Sequence, residues 1–157
     1  MTYGFYDEVM KKYGNPTVWN SIIEVFTYLP LAAVIDGGIL CIHGGLSPEL
    51  PFIDEISAID RLRNIPESGP MCDLVWSDPD PSDHEGWAVN NRGAGYLFSK
   101  HVVKEFLDMN EIQTIVRAHQ LVEEGYIYNF DGKSFVTLWS APNYCYRCGN
   151  DASVMKV

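Results

Sequence analysis

The sequence predicts an α/β fold in which helices are layered on mixed β-sheets, and three observations predict it. Strand-length apolar runs alternate with longer stretches whose apolar residues recur at helical spacing. Two Asp-Gly pairs stand between short apolar runs, the strongest local signal for a hairpin. Helices and hairpins interleave along the chain, which points to mixed sheets and not to a clean parallel βαβ winding.

The elements follow in order. Val18, Ile22, Val25, Phe26 and Leu29 lie on one helical face, and Pro30 ends that run. Leu31–Ile35 and Ile39–Ile42 read as strands joined by Asp36-Gly37-Gly38. A second helix is predicted over Ile53–Leu62, with Ile53, Ile56 and Ile59 on its apolar face and Glu55 and Asp60 on its wet one. The stretch from Asn64 to Gly95 is rich in Pro, Gly, Asp and Ser and is predicted to be a long surface loop. A third helix is predicted over Lys100–Met109, with Ser99 as N-cap and Asn110 just past its end. Strands are predicted over Ile112–Arg117, Tyr126–Phe130 and Phe135–Trp139, the last two joined at Asp131-Gly132, and a final strand over Ser153–Val157.

Composition narrows the function. The chain has 157 residues, 46% hydrophobic and 20% charged, enough for a packed core and unlike a disordered tail. Its net charge of −10 argues against a nucleic-acid partner, which calls for a basic face. No stretch reaches the roughly 18 apolar residues of a membrane span, so no membrane partner is expected. Met1 to Gly4 lacks the basic and apolar run of a signal peptide. Four Cys are too few for a disulfide scaffold and are expected as reduced thiols in a cytoplasmic, or also nuclear, protein.

Three predicted strands end in the same manner. Ile39–Ile42 runs into His43-Gly44-Gly45, Thr114–Ala118 into His119, and Val136–Trp139 into Ser140-Ala141-Pro142-Asn143-Tyr144. Ligand sites of layered α/β folds are built at the carboxyl ends of strands, so the two histidines are candidates to meet. A neutral imidazole suits Mn, Fe or Zn, and the two glycines leave room for close approach. The alternative is a pair of histidines that merely cap strands. Arg92-Gly93-Ala94-Gly95 could present a guanidinium fork to an oxyanion, or be an ordinary surface turn. Cys145 and Cys148 form a lone Cys-x-x-Cys, short of the second pair that a structural zinc needs, and the surrounding loop does not favour a redox couple. His84 and His101 read as solvated.

Six segments together resemble one family. They are Tyr3–Glu8 (YGFYDE), His43–Pro48 (HGGLSP), Trp76–Asp80 (WSDPD), Arg92–Gly95 (RGAG), Arg117–Gln120 (RAHQ) and Ser140–Asn150 (SAPNYCYRCGN). In this order they resemble the catalytic subunits of phosphoprotein phosphatases, specifically the type 2A-like serine/threonine group (types 2A, 4 and 6). The resemblance implies a calcineurin-like metallophosphoesterase fold and hydrolysis of phosphoserine or phosphothreonine by a hydroxide activated by two divalent metal ions (Mn, or Fe/Zn). By motif, His43 and His119 match two histidine ligands of one metal, and Arg92 matches an arginine that holds the substrate phosphate. Tyr144, Cys145 and Arg147 fall in the mobile loop that overhangs the site, and Tyr3 and Trp76 match aromatic positions near the substrate groove.

The family's GDxHG, GDxVDRG and GNHE motifs do not occur in the sequence. The resemblance therefore implies that residues 1–157 correspond to the carboxyl-terminal part of a single catalytic domain, incomplete at the N-terminus. It also implies weak metal binding and no turnover for the chain alone. Phosphoprotein substrates and scaffold or regulatory subunits are the implied partners. The alternative is a catalytically inactive module that binds those subunits. One departure lies beside Arg92. Asn90-Asn91 replaces the family's usual Ser-Pro, which predicts a looser loop around the arginine.

Overall fold

A computed structural model describes residues 4–82 and 84–157. It divides into two compact units, residues 1–30 with 60–64, and residues 31–59 with 65–157. The predicted groove residue Tyr3 lies outside the described residues.

The first unit is a helix pair, α1 (Phe5–Tyr13) and α2 (Thr17–Tyr28). Gly14 closes α1 at φ 73°, a left-handed conformation that glycine adopts without strain, and its N–H bonds the Met10 carbonyl at 2.9 Å. Val9 is buried, Tyr6 packs edge-on against Trp19 with centroids 5.4 Å apart, and Phe5 stacks on Phe26 at 6.3 Å. The helix expected from Val18 is therefore present.

The second unit holds two sheets. In the larger, β1 (Ala32–Ile35) pairs antiparallel with β2 (Ile39–Ile42), and β2 runs parallel to β6 (Thr114–Arg117). Next, β6 runs parallel to β8 (Phe135–Leu138), which pairs antiparallel with β7 (Tyr126–Tyr128). In the smaller, β3 (Asp78–Pro79) runs parallel to β5 (Tyr96–Phe98), which pairs antiparallel with β4 (Trp87–Val89). The predicted mixed sheets are confirmed, and so is the hairpin at Asp36-Gly37-Gly38, where Ile35 faces Ile39.

The core lies where α5 (Lys100–Asn110) packs on the larger sheet. Val102, Val103, Phe106 and Leu107 of the helix meet Leu40, Ile42, Ile115 and Phe135, and Phe98 of the smaller sheet joins them. Phe98 and Phe135 lie edge to face with centroids 5.4 Å apart. Alternation explains the choice of face. Leu40 and Ile42 of β2 point inward, as do Ile115 and Arg117 of β6, while their neighbours are half-buried.

Several expectations are corrected. The stretch from Asn64 to Gly95 is not a structureless loop but the most buried polar part of the unit. It contains α4 (Pro70–Trp76), β3 and β4. Pro70 opens α4 at a position where its missing N–H costs nothing, and Met71, Cys72, Asp73 and Leu74 are all buried. The Pro, Gly, Asp and Ser residues punctuate short elements here and do not dissolve them. The helix predicted over Ile53–Leu62 is one turn, α3 (Ile53–Ile56). Ser57 donates its hydroxyl to the Asp54 carbonyl at 2.6 Å, and the following N–H groups bond three residues back, so the α-helix does not propagate.

Asn110 is the last helical residue of α5 and Glu111 takes the left-handed cap at φ 54°. The Asn110 amide explains this. It donates to the carbonyls of Phe106 (2.8 Å) and Pro51 (2.9 Å) and accepts the Ile53 N–H (2.8 Å). The turn at Asp131-Gly132 belongs to a six-residue connection between β7 and β8, longer than the tight hairpin predicted. Ser153–Val157 forms no strand. Ser153 makes one backbone bond, to the Trp139 carbonyl at 2.9 Å, and no ladder follows.

Replacing Asn110 by Ala should leave the Ile53 N–H and two carbonyls short of partners at a partly buried joint. The expected cost is about 1–3 kcal/mol, read as a lower urea midpoint at unchanged slope. An unchanged midpoint would mean that water replaces the amide there.

Candidate functional site

The parallel pairing of β2, β6 and β8 brings their carboxyl ends to one edge, and both histidines lie at that edge. Ala118 donates its N–H to the His43 carbonyl at 3.1 Å, extending the β2–β6 ladder past the strand ends. His119 then turns at φ 53°, a left-handed conformation uncommon for any residue but glycine. The turn brings His119 Nδ1 to 3.1 Å from His43 Nε2, with ring centroids 5.0 Å apart. The Trp76 indole closes the other side of His119, edge-on at 5.3 Å. His43 is open to solvent and His119 is half-buried.

Both rings are neutral at physiological pH. Burial pulls the His119 pKa down to about 4, with Arg117, Arg92 and His43 adding to the fall and Asp78 opposing it. His43 is lowered by partial desolvation and then by the charge of Arg117. His119 Nε2 is buried without a hydrogen-bond partner. Among the described residues, no group of three or more His, Cys, Asp or Glu side chains is arranged to hold a cation.

Beside the histidines stands an ionic cluster that sequence reasoning missed. Arg117 is 1% exposed and reaches from the end of β6 to the smaller sheet. Nη2 donates to Asp78 Oδ1 at 2.9 Å and to the Ser77 carbonyl at 3.2 Å. Its Nε donates to the Gly44 carbonyl and Nη1 to Gln120 Oε1 at 3.0 Å. Asp78 Oδ2 accepts from Arg92 Nε at 2.6 Å and from Asn90 Nδ2 at 3.0 Å. Burial alone would raise the Asp78 pKa, but the bonds from Asn90 and Arg92 and the charge of Arg117 hold it below the usual carboxylate range. Burial lowers the Arg117 pKa to about 10, against the pull of Asp78, so the side chain stays cationic. Nothing in the spacing of WSDPD and RAHQ announces this pair. A buried charge is recognised by its partner, and the partner lies 39 positions away.

Arg92 is not an ordinary surface turn. Its guanidinium is tied through Nε to buried Asp78, and its side chain stays about a third exposed. The loop around it is braced, against the looser loop expected from Asn90-Asn91, because Asn90 is itself buried and bonded.

Tyr144 and Cys145 lie on a short 3₁₀ turn (Tyr144–Tyr146) pinned by Asn150, and Arg147 follows as its cap. Asn150 Oδ1 accepts the Tyr144 N–H at 2.8 Å and its Nδ2 donates to the Ala141 carbonyl at 2.9 Å. Asn143, Cys145 and Tyr146 all have positive φ there, and Tyr144 packs edge-on against Trp139 at 4.9 Å. Among the described residues, no hydrogen bond or ring contact joins this turn to His43, His119 or Arg92. Cys145 and Cys148 are exposed free thiols. His101 is exposed beside Glu105, as expected, but His84 is not simply solvated. Its Nδ1 faces Asp80 at 3.0 Å and its Nε2 is buried.

Two outcomes test this geometry. Asp78→Asn would leave the Arg117 guanidinium buried without its counter-charge, and the chain should lose roughly 3–5 kcal/mol in urea unfolding. A loss below about 1 kcal/mol would mean that solvent reaches Arg117. Separately, the unfolded chain takes up a proton on His119 near pH 6.5, while the folded ring resists until about pH 4. Stability of the metal-free chain should therefore be fully present above pH 6.5 and fall as pH drops towards 4, and His119→Asn should flatten that slope.

Comparison with known proteins places the fold in a family. The profile of the family described as calcineurin-like phosphoesterase matches residues 4–123. The chain is 59% identical over 155 residues to serine/threonine-protein phosphatase ppe1 of Schizosaccharomyces pombe, covering 99% of this chain and 50% of that protein. It is 57% identical over the same length to the serine/threonine-protein phosphatase 4 catalytic subunit of Saccharomyces cerevisiae, covering 99% of this chain and 49% of that protein. Among solved structures, a serine/threonine phosphatase of Saccharomyces cerevisiae with similarity to human phosphatase PP5 superposes with a TM-score of 0.83 at 33% identity. That match covers 93% of this chain and 45% of the other. The chain thus spans about half the length of the curated relatives it matches. With this fold, this strand-end histidine pair and these relatives, the chain belongs to the calcineurin-like phosphoesterases, in the type 2A-like group of phosphoprotein phosphatases.

Proposed function

We propose that the chain supplies one part of the active site of a metal-dependent protein serine/threonine phosphatase. It acts there as part of a single catalytic domain that hydrolyses phosphoserine and phosphothreonine. The observation that carries the reading is the 3.1 Å approach of His43 Nε2 to His119 Nδ1 within the electrostatic reach of Arg92. The matches to about half the length of serine/threonine phosphatases support it.

The residues fit a cation. An imidazole nitrogen lies about 2.0–2.1 Å from a bound metal, and two such nitrogens at roughly a right angle stand about 3 Å apart. The two rings are neutral, so each has a lone pair to give without first losing a proton. His43 and His119 would hold the ion, and imidazole suits manganese, iron or zinc. A pair of divalent cations in such a centre lowers the pKa of water and offsets charge developing on phosphoryl oxygens.

This chain's own residues do the rest. Arg92 gives its Nε to Asp78 and leaves its two terminal amino groups for two oxygens of one phosphoryl group. Asp78 thereby fixes the plane of the fork while neutralising part of its charge. Trp76 packs edge-on against His119 and takes part in its half-burial, and burial is the main cause of the lowered His119 pKa. On the neighbouring loop, Tyr144, Cys145 and Arg147 would meet the peptide that carries the phosphate. The relatives' names include the words catalytic subunit, which supports phosphoprotein substrates presented with scaffold or regulatory subunits. Work in the cytoplasm, or also in the nucleus, is the setting that the small cysteine count of the sequence suggests.

The test is a chimera in which this chain replaces the matching half of the Schizosaccharomyces pombe relative, assayed with manganese on a phosphoserine peptide. Turnover is expected, with kcat falling by about 10²-fold or more in His43→Ala and kcat/KM by a similar factor in Arg92→Ala. A folded, manganese-loaded chimera without turnover, or turnover indifferent to His43, would sink the assignment.

A further inference from the structure

We propose that Asn90 is a positioning residue for Arg92, a brace that decides where the guanidinium fork points. The proposal rests on the reading of Arg92 as the phosphate ligand, and it concerns a residue for which the sequence predicted the opposite effect.

The side chain of Asn90 is 4% exposed and all its polar atoms are engaged. Nδ2 donates to the Trp76 carbonyl at 3.2 Å and to Asp78 Oδ2 at 3.0 Å, while Oδ1 accepts the backbone N–H of Arg92 at 3.0 Å. One amide therefore touches the two things that define the position of Arg92, its own backbone and the carboxylate that holds its Nε. No other residue type of this size offers two donors and one acceptor in that arrangement. Asp would set a second carboxylate against Asp78, and Ser is too short to span both partners.

The far end of the same loop is fixed independently. The Tyr96 N–H donates to Ser77 Oγ at 3.0 Å. Gly95, at φ 68°, lies so close to the backbone of residues 76 and 77 that a Cβ there would come within 2.6 Å of the Ser77 nitrogen. The six-residue arc from Asn90 to Gly95 is thus clamped at both ends to the strip Trp76-Ser77-Asp78, with Arg92 between the clamps. Gly93, at φ 79° with open space around it, lets the arc turn between the clamps. The strip in turn carries Trp76, which packs on His119. Fork and histidine pair therefore share one rigid base, and a misplacement of the fork by an ångström is the kind of error that costs a site heavily.

The experiment follows the Arg92 Nε–H of this chain by proton–nitrogen NMR, with the buried Arg117 Nε–H as internal control. In Asn90→Ala the Arg92 signal should move to an exposed position and exchange at least about tenfold faster, while Arg117 keeps its shift and exchange rate. Should the alanine variant not fold, Asn90→Ser makes the same comparison. Equal change in both signals would show a merely structural role, and an unmoved Arg92 signal would show that Asp78 suffices, so either overturns the brace. In the chimera, Asn90→Ala should raise KM for the phosphopeptide about tenfold and weaken inhibition by inorganic phosphate to match. A displaced Arg92 signal with KM unchanged would uphold the brace and remove Arg92 from the phosphate site.

Discussion

The Arg117–Asp78 pair is the interaction on which the site depends. Arg117 projects from the core face of the larger sheet, in register with Ile115, into space that an aliphatic side chain would fill by sequence pattern alone. Its guanidinium instead makes four hydrogen bonds, to the Gly44 and Ser77 carbonyls, the Gln120 amide oxygen and the Asp78 carboxylate. Those partners come from the loop after β2, the turn after β6, and the strip leading into the smaller sheet. A planar guanidinium can join three such segments at fixed angles, which a hydrophobic contact cannot do. The cost is desolvation of two charges, and burial pairs such as this one tend to trade stability for geometry.

From that joint the rest follows. Asp78 has a second oxygen, and it goes to Arg92 and Asn90, so the carboxylate that anchors the core also aims the exposed fork. Gly44 donates its N–H to the Leu74 carbonyl, and a Cβ at Gly44 would strike the Val75 backbone, so the segment after His43 runs flush against α4. His119 follows Arg117 by two residues, at a strained φ, and is held beside His43 by what precedes it. Low His119 pKa, neutral rings and cationic arginines are one electrostatic arrangement, built from burial and from two guanidinium groups a short way off.

Much of the fold was legible. The hairpin of β1 and β2, the amphipathic face of α5 and the three strands whose carboxyl ends meet all rest on local periodicity and turn chemistry, which act over a few residues. Short-range chemistry also misled. Residues 64–95 carry the composition of a loop, yet Met71 to Leu74 and Ser77 to Asp78 are among the most buried residues of the chain. Polar residues go inside when partners are waiting, and Ser47 for Asp73 and Arg117 for Asp78 are 26 and 39 positions away.

By itself the sequence determined the class of the fold, the strand-end placement of His43 and His119 and, through six ordered segments, the family. Those properties reside in side-chain period, turn residues and motif order, which survive reading along one dimension. Only the tertiary structure decided that the two imidazole nitrogens stand 3.1 Å apart, that Arg92 is tethered and that Asn90 stiffens its loop where the lost proline predicted slack. The physical reason is that hydrogen bonds and ion pairs are short-ranged and directional. Their existence depends on which distant segments are brought within about 3 Å, and no local pattern records that distance.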